Sequence, residues 1–154
     1  MDIFNPTLCL ARQLKDSWSA NLLTESNAEN KVPIEVAEGV PRLKIIHDTN
    51  SSEDWCACAV PIQSTWDPVD ISEFKTLALT VYREGDSGGV LRLVDDQDNE
   101  SQEFNLHGEG LAGEEHMLEI DLSLLSNLEP TRVKLIKIIG YKGSAFYISE
   151  VYLK

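Results

Sequence analysis

Cysteine is scarce in this chain: Cys9, Cys56 and Cys58 are an odd number and too few for a disulfide framework. Cys56 and Cys58 stand two apart in a strand-like stretch, so they share a face and do not pair with each other. They read as small core residues. As a zinc signal the pair is weak, because a structural site wants four convergent ligands and here one C-x-C has no second pair and no nearby histidine pair. Basic residues are also few. Thirteen Lys and Arg stand against 26 Asp and Glu, and the formal charge of -13 repels phosphate backbones. Nucleic acid is thereby excluded as a partner, and the general consequence of the acidity is solubility. No apolar run approaches the roughly 20 residues of a membrane span, and the first residues lack the basic start and apolar stretch of a signal peptide. Membrane insertion is excluded. Helical periodicity of ordinary length, internal repeats and low-complexity segments are missing too.

What remains is strand after strand. At 154 residues the chain is expected to form one domain, 1–154, with its own core and no need of staples. Residues 1–31 are the irregular part, and regular strands are expected over about 32–154. Thr76 to Arg83 alternates cleanly, which sends Leu77, Leu79 and Val81 inward and Ala78, Thr80 and Tyr82 outward. Val90 to Asp95 repeats the pattern with Leu91 and Leu93 inward and Arg92 outward, and His116 to Leu122 repeats it with Leu118, Ile120 and Leu122. Pro61 places the Trp55 to Ile62 strand at a sheet edge or at its exit, since proline cannot donate to a ladder. Glu84 to Gly89 reads as a flexible hairpin connection whose adjacent glycines supply positive φ. Asp95 to Ser101 reads as a solvated acidic turn; counted from Asp96 it lacks the glycine and glutamate of a calcium-binding EF-hand loop. About eight to ten short strands with turn signals between them predict an all-β fold, a β-sandwich or jelly roll of two antiparallel sheets.

The order Asp70-Ile-Ser-Glu-Phe-Lys-Thr-Leu-Ala-Leu-Thr-Val81, Val90-Leu-Arg-Leu-Val-Asp95, Gly113-Glu-Glu-His-Met-Leu-Glu-Ile-Asp-Leu122, Ile136-Lys-Ile-Ile-Gly140 and Phe146-Tyr-Ile-Ser-Glu-Val-Tyr-Leu153 resembles carbohydrate-binding modules of the galactose-binding-like β-sandwich type. The resemblance spans Arg42 to Lys154. It departs from the family pattern at His116, where a tryptophan is common, and at Ser149 and Glu150, where an Asp pair is common. The resemblance implies a non-catalytic module that recognises a β-linked plant-type polysaccharide of the β-glucan, xyloglucan or mannan class. It further implies that such a module belongs to a larger multimodular protein and brings an attached enzyme or complex to its substrate. As an excised module of a secreted protein the chain is placed outside the cell; standing alone without a leader, it is cytoplasmic. No cofactor is required. One ion is implied by the family, a structural calcium, for which Asp16 and Glu150 are the carboxylates at hand.

Sugars present flat CH faces rimmed by hydroxyls, so a glycan face needs aromatic planes and planar polar groups. The candidates are Tyr82 and Arg92, expected outward on adjacent strands, the loop aromatics Trp18, Trp55 and Trp66, and Tyr141 at a strand end. Each has a plainer reading: Trp55 can plug the sandwich edge, Trp18 can pin the N-terminal segment, and Tyr82 with Arg92 can form a cation and ring pair. Arg92 is the most informative, because an outward arginine in an acidic chain lacks an obvious electrostatic reason. Gly85-Asp-Ser-Gly-Gly89 has the Gly-x-Ser-x-Gly spacing, but no helix of ordinary length is expected after it to make the strand-turn-helix elbow of a hydrolase, and His-Glu-x-x-His is absent from the sequence. The other class that fits is an interaction or assembly domain that keeps the sandwich without the sugar site.

Overall fold

Alternation decides which way each strand faces, and the strands obey it. The structure is a computed structural model that describes residues 2–4, 34–37, 40–46, 55–62, 65, 67–84, 88–107, 112–141 and 145–154; for 2–4, 34–37, 40–46, 55–58 and 152 it gives strand placement alone. Its strands are β1 (Asp2–Phe4), β2 (Ile34–Ala37), β3 (Val40–Ile46), β4 (Trp55–Pro61), β5 (Thr76–Arg83), β6 (Gly89–Asp95), β7 (Phe104–Asn105), β8 (Glu115–Asp121), β9 (Val133–Tyr141) and β10 (Ala145–Leu153). The helical elements among the described residues are two 3-10 turns, Leu122–Leu124 and Pro130–Arg132.

The strands form two antiparallel sheets. One has six strands in the order β2-β3-β10-β5-β8, with β1 also paired to β10, and the other has four in the order β4-β9-β6-β7. The predicted all-β sandwich is therefore what the chain forms. Leu77, Leu79 and Val81 of β5 meet Leu91 and Leu93 of β6, Ile136 and Ile138 of β9, and Phe146 and Ile148 of β10 in one continuous core. Burying such aliphatic side chains contributes about 1.5–3 kcal/mol each, which is why a period of two is enough to fold the chain. Leu118, Ile120 and Leu122 join the same core while Met117 is exposed, as the alternation in β8 requires. Pro61 closes β4, which is an edge strand, as its missing N–H demands.

A bulge in β10 keeps that strand in phase. Ile148 pairs with Val81 but Glu150 pairs with Thr80, so Ser149 is the extra residue that returns Val151 and Leu153 to the core. Without it Glu150 would face inward.

The Glu84 to Gly89 connection departs from expectation. β5 lies in the six-stranded sheet and β6 in the four-stranded one, so the chain crosses between sheets and makes no hairpin there. The glycine requirement is different as well. The one glycine at positive φ among those described is Gly113, at 82°. At Gly89 the constraint is space: a Cβ there would lie 2.7 Å from Phe146 Cε2, 3.0 Å from the Ile139 carbonyl oxygen and 3.0 Å from Leu106 Cδ1. Gly89 pairs across the ladder with Gly140. The buried Phe146 ring of the opposite sheet fits where Gly89 carries no side chain.

Candidate functional site

The outer face of the four-stranded sheet carries a charged group set between apolar rows. Since Leu91 and Leu93 are fully buried inward, Arg92 projects outward, and it stands in register with Lys137 of β9. Two cations directly opposite one another on a sheet face repel. Glu100, which bridges to Val94 beside β6, resolves this by accepting at one oxygen from Arg92 Nη1 (2.6 Å) and at the other from Lys137 Nζ (3.0 Å). Arg92 Nη2 donates to Glu103. The carboxylates of Glu103 and then Glu100 hold the Arg92 guanidinium above its ordinary range. Burial pushes the Glu100 carboxyl up, but its bonds to Lys137 and Arg92 outweigh that and leave it below the usual value. Arg92 thus has the electrostatic reason that its sequence context withheld. Truncating it leaves two half-buried or exposed carboxylates without their partner, so its removal also costs stability.

Apolar side chains flank these charges. Val90 pairs with Ile139 on one side and Val94 with Leu135 on the other. Both pairs are buried on the outer face in clusters separate from the core, the second with Ala59. At the end of the sheet beyond Val90 and Ile139, Tyr141 is 41% exposed and stands in register with Trp55 of the edge strand. The Tyr141 N–H donates to the Gly88 carbonyl at 3.1 Å. A carbon placed on Gly88 would sit 3.6 Å from Tyr141 Cδ2, so the ring lies beside bare backbone. Of the candidates from sequence, Arg92, Tyr141 and Trp55 thus fall on one sheet. Lys137, Glu100 and Glu103 were missed, although Lys137 could have been found from the alternation of β9.

Tyr82 falls elsewhere. It belongs to β5 in the opposite sheet, so Tyr82 and Arg92 are not on adjacent strands and do not form a cation and ring pair. The cause is the crossing connection described above. Tyr82 packs edge-on against Tyr147, with ring centres 5.8 Å apart and an interplanar angle of 60°. Tyr147 in turn donates its hydroxyl to Glu84 at 3.4 Å. Trp18, Trp66 and Asp16 lie outside the described residues, as do the side chains of Trp55, Cys56 and Cys58. Glu150 is half-buried on the outer face of the six-stranded sheet and accepts from the Thr80 hydroxyl at 3.1 Å. Among the described residues no three His, Cys, Asp or Glu side chains gather as a metal site. The expected calcium cage joins Glu150 to Asp16, and Asp16 lies outside the described residues. His116, at the position where tryptophan is common, pairs with Val81 in the ladder and brings Nε2 within 3.3 Å of the Leu106 carbonyl. It joins the edges of the two sheets.

The opposite end of the sandwich is closed by carboxylates with local work. A cavity of about 710 Å³ there is lined in part by Phe74, Lys75, Asp121, Leu122 and Ser123. Asp121 accepts from the Ser123 N–H and hydroxyl, and Asp70 accepts likewise from Ser72. Nearby, Asp95 continues the inward parity of Leu91 and Leu93 and is 1% exposed, which corrects the reading of Asp95 to Ser101 as a wholly solvated turn. Its carboxylate accepts from the Gln97 and Asn99 N–H groups, the Asn99 side-chain amide and the Glu129 N–H, at 2.9 to 3.1 Å. Asp98 supplies the turn's left-handed residue, at φ 64°.

No protein-family model matches the chain, and no curated protein matches it. Solved structures do. A family 30 carbohydrate-binding module of a cellulosomal cellulase of Clostridium thermocellum superposes with a TM-score of 0.65 at 14% identity, over 86% of this chain and 90% of that one. A family 11 module of another cellulosomal cellulase of the same organism gives 0.58 at 11% identity, over 86% of each. An exo-beta-agarase gives 0.61 at 14% identity, but the match spans 85% of this chain and 22% of the agarase. The fold is that of the β-sandwich carbohydrate-binding modules. Identities this low carry the fold and leave the ligand to be argued from the site.

Proposed function

We propose that the chain is a non-catalytic carbohydrate-binding module that takes a β-linked polysaccharide of the β-glucan, xyloglucan or mannan class across the outer face of its four-stranded sheet. The observation that carries this reading is exposed Tyr141, in register with Trp55, at the end of a face whose centre is the Arg92, Glu100, Lys137 and Glu103 group. An aromatic plane stacks on the CH face of a sugar ring, and the charged group offers fixed donors and acceptors to the hydroxyls. Held on paired strands, both parts are organised before the ligand arrives, which lowers the cost of binding. The similar solved structures are modules of cellulosomal cellulases or a part of an agarase, and they support an extracellular module attached to an enzyme or complex.

Affinity electrophoresis against soluble β-glucans, mannans, xyloglucan and xylans tests the reading. Retardation is expected with one or more of them, and Tyr141→Ala is expected to weaken it about tenfold, the value of an aromatic contact plus its buried area. Trp55→Ala is expected to act in the same direction, and Trp18→Ala and Trp66→Ala enter the same assay. Tyr82→Ala, on the far side of the sandwich, is expected to lower the melting temperature and leave retardation unchanged. Uniform absence of retardation by the native chain would remove the reading and leave an interaction domain on the same fold.

A further inference from the structure

We propose that Glu100 and Glu103 are counter-anions built into this face, that they restrict it to uncharged glycans, and that their removal turns it into a site for polyuronates. The inference rests on the reading of the face as a glycan site and adds its charge class. Arg92 and Lys137, directly opposite in the ladder, make a pair of cations that an anion must bridge. Glu100 bridges them with one oxygen on each, and Glu103 takes the other arm of the guanidinium fork. The geometry is that of a carboxylate receptor, and the chain supplies the carboxylates itself.

A uronate sugar arriving at this face meets two glutamates already seated on the cations, within a molecule of net charge -13. To reach Arg92 it would have to displace a partner that is tethered to the same sheet and carries the same charge. A neutral sugar meets no such competition. Its hydroxyls donate to the glutamate oxygens and accept from guanidinium protons that the two ion pairs leave over, since each terminal nitrogen carries two. Arg92 Nε is buried with no acceptor among the described residues, so the donors left for a sugar are those of the two terminal nitrogens.

The test is the double variant Glu100→Gln/Glu103→Gln, which keeps side-chain volume and one acceptor oxygen in each side chain while removing both charges. In electrophoresis through gels containing polygalacturonate, the native chain is expected to run unretarded. The double variant is expected to bind at least about tenfold more tightly than the native chain, with the gain abolished by added salt and by a further Arg92→Gln. Should the double variant fail to fold, Glu103→Gln alone serves, because that side chain is 46% exposed and can be exchanged without opening the sheet. Native retardation by polygalacturonate as strong as that by neutral glucans overturns the proposal, and so does a folded variant that gains none. The neutral-glycan gels report separately: if they retard nothing, the glycan reading falls, while the polygalacturonate gel still decides whether the glutamates mask an anion site.

Discussion

Asp95→Ala is expected to lower the unfolding free energy by about 3–5 kcal/mol, a large part of the roughly 5–15 kcal/mol that holds a domain together. The substitution removes one carboxylate and orphans four donors: the N–H groups of Gln97, Asn99 and Glu129 and the Asn99 amide. Glu129 is far away in sequence, so the same carboxylate that forms the turn after β6 also ties down the approach to β9. Chemical denaturation of the native chain and the variant measures the loss. Burial pushes the Asp95 carboxyl up, and the hydrogen bonds from Asn99, Glu129 and Gln97 outweigh it, so the folded group titrates below its ordinary value. A carboxyl depressed in the folded state contributes stability that is complete above its unfolded pKa, about 3.9, and is lost as pH falls through the folded value. Asp70 and Asp121 are depressed as well, each chiefly by the hydroxyl of the serine two residues on. Melting temperature is therefore expected to fall steeply below about pH 4. Asp95→Asn is expected to be less stable at neutral pH and to show a shallower acid limb; an unchanged limb would sink the assignment.

Gly89→Ala is expected to destabilise by about 1–3 kcal/mol, although it adds a single methyl group. That carbon would sit 2.7 Å from the Phe146 ring and 3.0 Å from a backbone carbonyl in the neighbouring strand. Phe146 is fully buried and cannot swing away, and the carbonyl belongs to the ladder between β6 and β9. Larger residues are expected to prevent folding. Gly88→Ala is the control, since its added carbon has ordinary contact distances and keeps the Tyr141 ring in place. Thermal melts of the pair distinguish lack of room at Gly89 from a general intolerance of side chains in this segment. Equal melting temperatures for both variants and the native chain would refute the crowding argument.

The sequence made the direction of side chains legible and left their neighbours hidden. Leu77, Leu79 and Val81, or Leu91 and Leu93, announce which face of a strand is buried, because exposing that face costs several kcal/mol and the pattern has to be written into every strand. Nothing in that parity says which strand lies alongside. The segment between β5 and β6 is short and glycine-rich, as a hairpin would be, and the same composition serves a crossing between sheets. Sequence spacing therefore sets Tyr82 beside Arg92, whereas in the fold a whole core separates their faces. The charged group was hidden for a related reason: Glu100 reads as one more acid in a polar turn until the fold brings it against Arg92 and Lys137. Asp95 was legible in principle. It shares the inward parity of Leu91 and Leu93, and a carboxylate facing a core demands several donors.

The position of β10 sets the order in which the six-stranded sheet can be completed. That strand follows all the others in the chain, yet it lies between β3 and β5. While the chain is being synthesised, β2 with β3 and β5 with β8 can pair as separate halves, each exposing the edge that β10 will later fill. Until then two open strand edges and the apolar places for Phe146, Ile148, Val151 and Leu153 face water together. The late strand joins both halves, by pairing with β3 on one side and β5 on the other. Pairing over such long sequence separations is slow. Whatever protects the nascent chain must shield it until Leu153 has emerged.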